Sequence, residues 1–364
     1  MGNQYRFDLN GAGPCCFYDG KVDMFDKEAF QKLHETLTTQ TDWTDACSWC
    51  KDQEDKGLRS PRNFSLESSM LGLNTEDEPD ELTSLEIQTD SDCNGACLIC
   101  SPAHSTTWQK YANPKSIPIK EDDPASLRLE RIKEIYDFSK LKKMGFANGG
   151  ETLKSETHLK YLREIKKAGN LSNVMLIYTT NGSIRPNEET LELWQDAKQI
   201  NLMVSIDGIE DHFNYLRWPL QWHQVTANMK FLLDLPLPNL HMTFSYTATP
   251  FSLFYHDRYV AWAKEFFKDY SHRISTDGVF GFPSEARGVI NLSCIPASLG
   301  REIIDKYRGT DMERAANLVR PFMRTQYKPF MEYIELHDGK RGLNWRDIFP
   351  EIQHHFTDKL KGKT

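Results

Sequence analysis

No stretch of the 364 residues approaches the run of roughly 18 to 20 apolar side chains that a membrane-spanning helix needs. The opening residues, Met1-Gly2-Asn3-Gln4-Tyr5-Arg6, lack the apolar core of a secretory signal. A soluble, cytoplasmic protein is therefore expected. Positive charge is also scarce: 44 Lys and Arg stand against 52 Asp and Glu, a net charge of −8. That balance argues against a broad phosphate-binding surface, so nucleic acid is not an expected partner, although a local basic groove stays open. No internal repeat and no low-complexity tract is visible. Beyond residue 100 cysteine occurs once, as Cys294, and an isolated cysteine reads as a small buried apolar side chain. The remaining seven of the 8 cysteines fall within the first 100 residues at short spacings, which suit metal sites in a reducing compartment better than a disulfide framework.

The most informative of these are Cys93, Cys97 and Cys100, a C-x-x-x-C-x-x-C triplet just after the strand-like run Leu85 to Thr89. Three thiolates on one short loop can hold three irons of a 4Fe-4S cube and leave the fourth iron open to a small molecule. Chance placement of 8 cysteines in 364 residues would give this pattern only about 0.004 times. Thiolates also suit zinc, so a three-cysteine zinc site is the competing reading of the same residues.

The surrounding residues, Ser91-Asp92-Cys93-Asn94-Gly95-Ala96-Cys97-Leu98-Ile99-Cys100-Ser101-Pro102, closely resemble the cluster loop of the radical S-adenosylmethionine (SAM) enzymes. In that superfamily the open iron is chelated by the amino and carboxylate groups of SAM. The reduced cluster donates one electron to break the sulfonium bond, and the resulting 5'-deoxyadenosyl radical abstracts hydrogen from a substrate. The residue before the last cysteine is usually aromatic and covers the adenine. Here it is Ile99, a departure that leaves apolar and backbone contact.

The rest of the chain fits a parallel α/β protein. Residues 66–84 include the acidic run Thr75-Glu76-Asp77-Glu78-Pro79-Asp80-Glu81 and read as a solvated linker. Beyond it, short β-branched or apolar runs alternate with segments of helical period, the pattern of βα units. Strands are expected near Leu85 to Thr89, Lys143 to Ala147, Asn173 to Thr180, Asn201 to Ile206, His241 to Thr247 and Gly288 to Ser293. Leu159, Leu162 and Ile165 mark one helical face, and Val225, Met229 and Leu232 another. Six such units give a partial (β/α)6 TIM-like barrel over residues 85–295, as the resemblance also implies, with C-terminal helices from 296 to 364 packed against it. Parallel barrels place their chemistry at the C-terminal ends of the strands.

Those ends carry the residues that the resemblance assigns to SAM. Asn148-Gly149-Gly150-Glu151-Thr152 looks like the superfamily's GGE segment, in which Gly149 and Gly150 allow close backbone approach and Glu151 accepts hydrogen bonds from the methionyl ammonium. An ordinary turn would explain the glycines equally well. Thr179-Thr180-Asn181-Gly182 and Ser205-Ile206-Asp207-Gly208 end the next two strands, where Asn181 and Ser205 can bond SAM hydroxyls or its carboxylate. Asp207 is also compatible with a common Asp-Gly turn. Arg217, in Tyr215-Leu216-Arg217, stands where similar enzymes supply a bidentate guanidinium to the SAM carboxylate. His104, Ser105 and Trp108 are open to either a ligand-facing or a packing role.

A second group of thiols, Cys15, Cys16, Cys47 and Cys50, precedes the barrel, with Glu54, Gly57, Ser60 and Arg62 following it. With the strand-like run Tyr5 to Asn10, residues 1–65 resemble the twitch domain, an auxiliary iron-sulfur module that usually follows the barrel. Such modules commonly carry another cysteine upstream of the Cys-Cys pair, and none is present here. Structural zinc on the four thiolates is the alternative.

These readings converge on a radical SAM enzyme, oxidoreductase-like, with one 4Fe-4S cluster for SAM and a second, auxiliary cluster. It would take an external electron donor and an unidentified substrate, with a peptide as the leading expectation. The rival from another class is a non-catalytic zinc or iron-sulfur electron-transfer protein. A methyl- or methylthio-transferase is a further rival, but it would normally bring additional recognisable domains.

Overall fold

The computed structural model describes residues 4–8, 11–13, 26, 28–29, 32, 45–55, 60, 63, 82–111, 125–147, 149–273, 281–283, 290, 292–317, 319 and 327–356. Eight strands form one sheet in the order β2-β1-β3-β4-β5-β6-β7-β8. They are β1 (Gln4–Asp8), β2 (Gly11–Gly13), β3 (Ser84–Ile87), β4 (Lys143–Phe146), β5 (Met175–Thr180), β6 (Gln199–Ser205), β7 (Leu240–Ala248) and β8 (Gly281–Pro283). From β3 to β8 every strand is parallel to the next in chain order. The fold is therefore the α/β parallel arrangement expected. Sequential parallel order requires right-handed crossovers, which place the connecting helices on one face.

The strands show why. In β5, β6 and β7 every second residue is buried. Leu176, Tyr178, Ile200, Leu202, Val204, Met242, Phe244 and Tyr246 belong to the apolar core. The helix Thr157–Lys167 meets that core with Leu159, Tyr161, Leu162 and Ile165, and Trp222–Asp234 with Val225, Met229, Leu232 and Leu233. Both helical faces are those anticipated from spacing. The residues of the other parity, half-buried, make an inner wall. Glu86, Gly145, Ile177, Asn201 and His241 lie in register across five strands, forming one layer of it.

The structure corrects one strand. Of the expected Gly288 to Ser293 segment, positions 288, 289 and 291 lie outside the described residues; the strand that pairs with β7 is Gly281–Pro283, against Tyr246–Ala248. Ile290, Leu292, Cys294 and Ile295 are buried, and Leu292–Cys294 is a 3-10 turn just ahead of the helix Ala297–Tyr307. Cys294 itself is buried, as expected.

At the other edge, β1 runs parallel to β3, with Tyr5 opposite Leu85, and β2 folds back antiparallel on β1. The strand-like N-terminal run thus extends the same sheet. The C-terminal segment contributes the helix Lys328–Arg341, whose Phe330, Met331 and Ile334 are buried. Phe251 sits among Phe330, Trp345, Phe349 and Phe356, with ring centroids 4.9–5.7 Å apart. No helix among the described residues is long and apolar enough to cross a membrane.

Candidate functional site

The three cysteines of the triplet lie on the loop leaving β3, at the C-terminal end of the sheet. Chain segments on both sides fix this loop. Ala96 N–H donates to the Trp218 carbonyl and Leu98 N–H to the Leu216 carbonyl, each at 2.7 Å. In return, the carbonyls of Ala96, Cys97 and Leu98 accept from Arg341 Nη2 at 2.7 Å, Trp108 Nε1 at 2.8 Å and Tyr333 Oη at 3.3 Å. Ser105 Oγ donates to the Gly95 carbonyl at 2.5 Å and also caps the turn of helix Thr106–Gln109. Ser105 and Trp108, open to two readings in the sequence, therefore hold the loop. His104 contributes its carbonyl to Gly150 N–H at 3.0 Å.

Cys93 and Cys97 turn their sulfurs toward the same glycine. A Cβ built on Gly95 would stand 3.3 Å from Cys97 Sγ and 3.8 Å from Cys93 Sγ. Polar hydrogens surround the sulfurs: Gly95 N–H lies 3.4 Å from Cys93 Sγ, Asn181 Nδ2 3.9 Å from the same atom, and Arg217 Nη1 3.9 Å from Cys97 Sγ. Burial pushes the Cys93 and Cys100 thiols up to about 12, and Cys97 is also raised, with Arg217 and Arg341 opposing the shift. Thiolates here need a compensating cation. Three thiols on one loop, Cys97 buried and Cys93 and Cys100 half-buried, with donors aimed at sulfur, are a donor set that fits a metal-sulfur cluster.

Arg217 is placed by the two backbone bonds that flank it at Leu216 and Trp218. Its Nη2 lies 2.7 Å from Asp207 Oδ2, and both side chains are almost fully buried. Asp207 Oδ1 accepts from Thr247 N–H at 2.8 Å, tying the end of β6 to β7. Arg217 Nε is buried without a hydrogen-bond partner.

Glu151 is 1 % exposed and serves its own chain first. Oε1 accepts from Thr180 Oγ1 at 2.6 Å and from Leu153 N–H at 3.3 Å, and Oε2 from Asn181 N–H at 2.7 Å. Burial lifts its carboxyl above the ordinary value despite these bonds. The carboxylate thus joins the end of β4 to the end of β5. Gly150, at φ +66°, donates its N–H to His104, and a Cβ there would come within 2.9 Å of the Asp90 carbonyl. A Cβ on Gly149 would collide with the Gln88 amide at 2.1 Å. The left-handed backbone and the close Asp90 carbonyl require glycine at 150, whatever binds there, while a side chain at 149 would have to displace the Gln88 amide.

Asn181 bridges to the loop, its Nδ2 donating to Asn94 Oδ1 at 3.0 Å. Ser205 lies on the inner wall opposite Ser245, and Ile99 is half-buried against the core. The structure therefore brings Cys93, Cys97, Glu151, Asn181, Asp207 and Arg217 into one connected network. Sequence reading missed Arg341 and Tyr333. They sit on a helix more than 200 positions away, and nothing in their local sequence signals contact with the loop.

Of the N-terminal thiols, Cys47 ends a 3-10 turn, Asp45–Cys47, and is half-buried, while Cys50 is buried in the helix Ser48–Asp55 that follows. Spacing of three along a helical path places both on one side. Glu54 Oε1 accepts from Ser60 Oγ at 2.5 Å, closing the segment behind them. Cys15 and Cys16 lie outside the described residues.

Fold and site define a parallel α/β protein with a thiol-bearing loop held at the C-terminal ends of its strands. No protein-family model and no curated protein matches the chain. Among solved structures it is similar to Streptococcus suis SuiB, with 14% identity, TM-score 0.37, and 85% of this chain and 69% of that one covered. It is also similar to anSMEcpe with bound AdoMet (18%, 0.38, 61% and 58%) and to TYW1 with a lysine-pyruvate adduct (12%, 0.33, 75% and 89%). Likeness at this level carries no argument about activity.

Proposed function

We propose that the protein is a radical SAM enzyme, with Cys93, Cys97 and Cys100 holding a 4Fe-4S cluster. The observation that supports this most directly is the three-thiol loop with Arg217 Nη1 and the Asn181 amide directed at the sulfurs of Cys97 and Cys93. When bound, such a cluster supplies the one-electron chemistry that cleaves SAM, while the protein orients the reactants.

The chain's own residues have distinct tasks in this reading. Arg217, neutralised on one side by Asp207, offers its unpartnered buried Nε–H toward an incoming carboxylate. Glu151 holds the β4 and β5 ends together, so that Asn181 and the Gly149-Gly150 backbone keep their places beside the loop. The inner wall, with Asn201, Ser205, His241, Thr243 and Ser245 half-buried, suits a substrate rich in hydrogen-bonding groups. A peptide meets that requirement, and we take it as the substrate class, with an external protein or chemical reductant as electron donor. Residues 1–65 are proposed as an auxiliary iron-sulfur module, with Cys47 and Cys50 among its ligands.

The test is anaerobic reconstitution followed by assay for 5'-deoxyadenosine. The parent should form it with a strong reductant, and replacing Cys93, Cys97 and Cys100 together by Ala should abolish it. Unchanged SAM cleavage by the triple variant would end this reading.

A further inference from the structure

A group of side chains able to ligate a metal lies apart from both sets of thiols and shares no residue with them. Glu302, His354 and His355 each offer one ligand atom, and the three atoms all lie within 4.8 Å of one another. His355 Nε2 is 2.7 Å from Glu302 Oε2, and the His354 and His355 rings have centroids 3.9 Å apart. Core packing beside two of the three, Glu302 and His355, holds their backbone in place. Glu302 precedes Ile303, which is fully buried under the helix Ala297–Tyr307. His355 precedes Phe356, which is 2 % exposed and lies among the rings of Phe251, Phe330 and Trp345.

We propose that Glu302, His354 and His355 bind a divalent transition-metal ion of the zinc type, linking the Ala297–Tyr307 helix to the turn Gln353–Phe356. Zinc bonds to nitrogen and oxygen of about 2.0–2.2 Å put neighbouring ligand atoms roughly 3 to 3.5 Å apart. The Glu302–His355 pair is already near that spacing. His354 is exposed, so a rotation of its side chain can bring in the third nitrogen. Two imidazoles and one carboxylate favour zinc, nickel, cobalt or copper over magnesium and calcium, which prefer all-oxygen shells. Waters would complete the shell.

The experiment counts zinc in protein whose thiols are already occupied by reconstituted clusters. Parent, His354→Ala and Glu302→Gln proteins are dialysed against the same low free zinc, and metal per chain is measured. Each variant should carry one zinc fewer than the parent. His354 is exposed, so its loss removes a ligand without opening the core. Repeating the comparison with Co2+ identifies the donor atoms: the parent-minus-variant spectrum should show visible ligand-field bands without an intense near-ultraviolet thiolate-to-cobalt band. Equal zinc in the parent and both variants, or a difference spectrum carrying the thiolate band, overturns the proposal.

Discussion

The guanidinium of Arg217 meets the carboxylate of Asp207 at 2.7 Å in a place where both side chains are nearly sealed from water. A buried pair of this kind gains little over an apolar pair of the same size, but losing one partner strands a charge in low dielectric. Asp207→Asn should therefore lower unfolding stability by about 3–5 kcal/mol. Asp207→Asn combined with Arg217→Met should cost less than the two changes added together. Urea denaturation of the four proteins gives the coupling directly, and strict additivity would mean that the pair is not coupled as described.

Arg217 also leans on Cys97 Sγ, which gives a second prediction. A charged hydrogen bond is worth about 1.5–3 kcal/mol, so Arg217→Ala should weaken SAM binding roughly ten- to a hundredfold while leaving iron in place. Calorimetric titration of the anaerobic protein checks it. Unaltered affinity would place the carboxylate contact elsewhere.

Glu151 ties two strand ends through both carboxylate oxygens. In Glu151→Gln one acceptor becomes an NH2 group facing donors, leaving at least one buried polar group unpaired. The expected loss is about 1–3 kcal/mol of stability. Hydrogen exchange at Asn181 should quicken along with it, since that amide bonds to Glu151. Unchanged protection at Asn181 would contradict the assigned bond.

Arg341 holds the Ala96 carbonyl and stacks its guanidinium over Trp108, 5.0 Å from the ring centroid. Arg341→Met keeps much of the aliphatic stem and removes both the donor and the charge near Cys97. Loss of a cation beside the thiolates should shift the reduction potential of a bound cluster to a more negative value, as followed by redox titration with electron paramagnetic resonance. A potential equal to that of the parent would limit Arg341 to packing.

Stability should fall on the acid side of neutrality. Burial depresses both His158 and His256 from 6.5 to about 4. A base with a depressed folded-state pKa is held neutral by the fold. Its contribution is full above about 6.5, the unfolded value, and is lost as pH drops toward 4. Each such imidazole adds a slope of up to about 1.4 kcal/mol per pH unit across that window. His158→Gln should flatten the dependence measured by urea melts between pH 7 and 5, and an unchanged slope would remove His158 from this account.

The sequence by itself determined the alternation of strands and helices, the faces of Thr157–Lys167 and Trp222–Asp234, and the cysteine loop. These follow from local rules: period-two and 3.6-residue burial, and the short spacing of the three thiols. Tertiary structure decided what the polar residues at the strand ends do. Glu151 and Asp207 were legible as candidate site residues, yet their first partners are Thr180, Asn181 and Arg217, chosen by which strand ends the sheet brings side by side. The clamp on the cysteine loop from Arg341 and Tyr333 was not legible at all, because it depends on where a helix far along the chain packs. The sixth parallel strand was misplaced for a related reason: a short apolar run such as Ile290 to Cys294 fits a strand and a core-facing turn equally well, and only pairing with β7 selects Gly281–Pro283. Local pattern records which residues are apolar and how often; hydrogen-bond partners across the sheet are fixed only when distant segments meet.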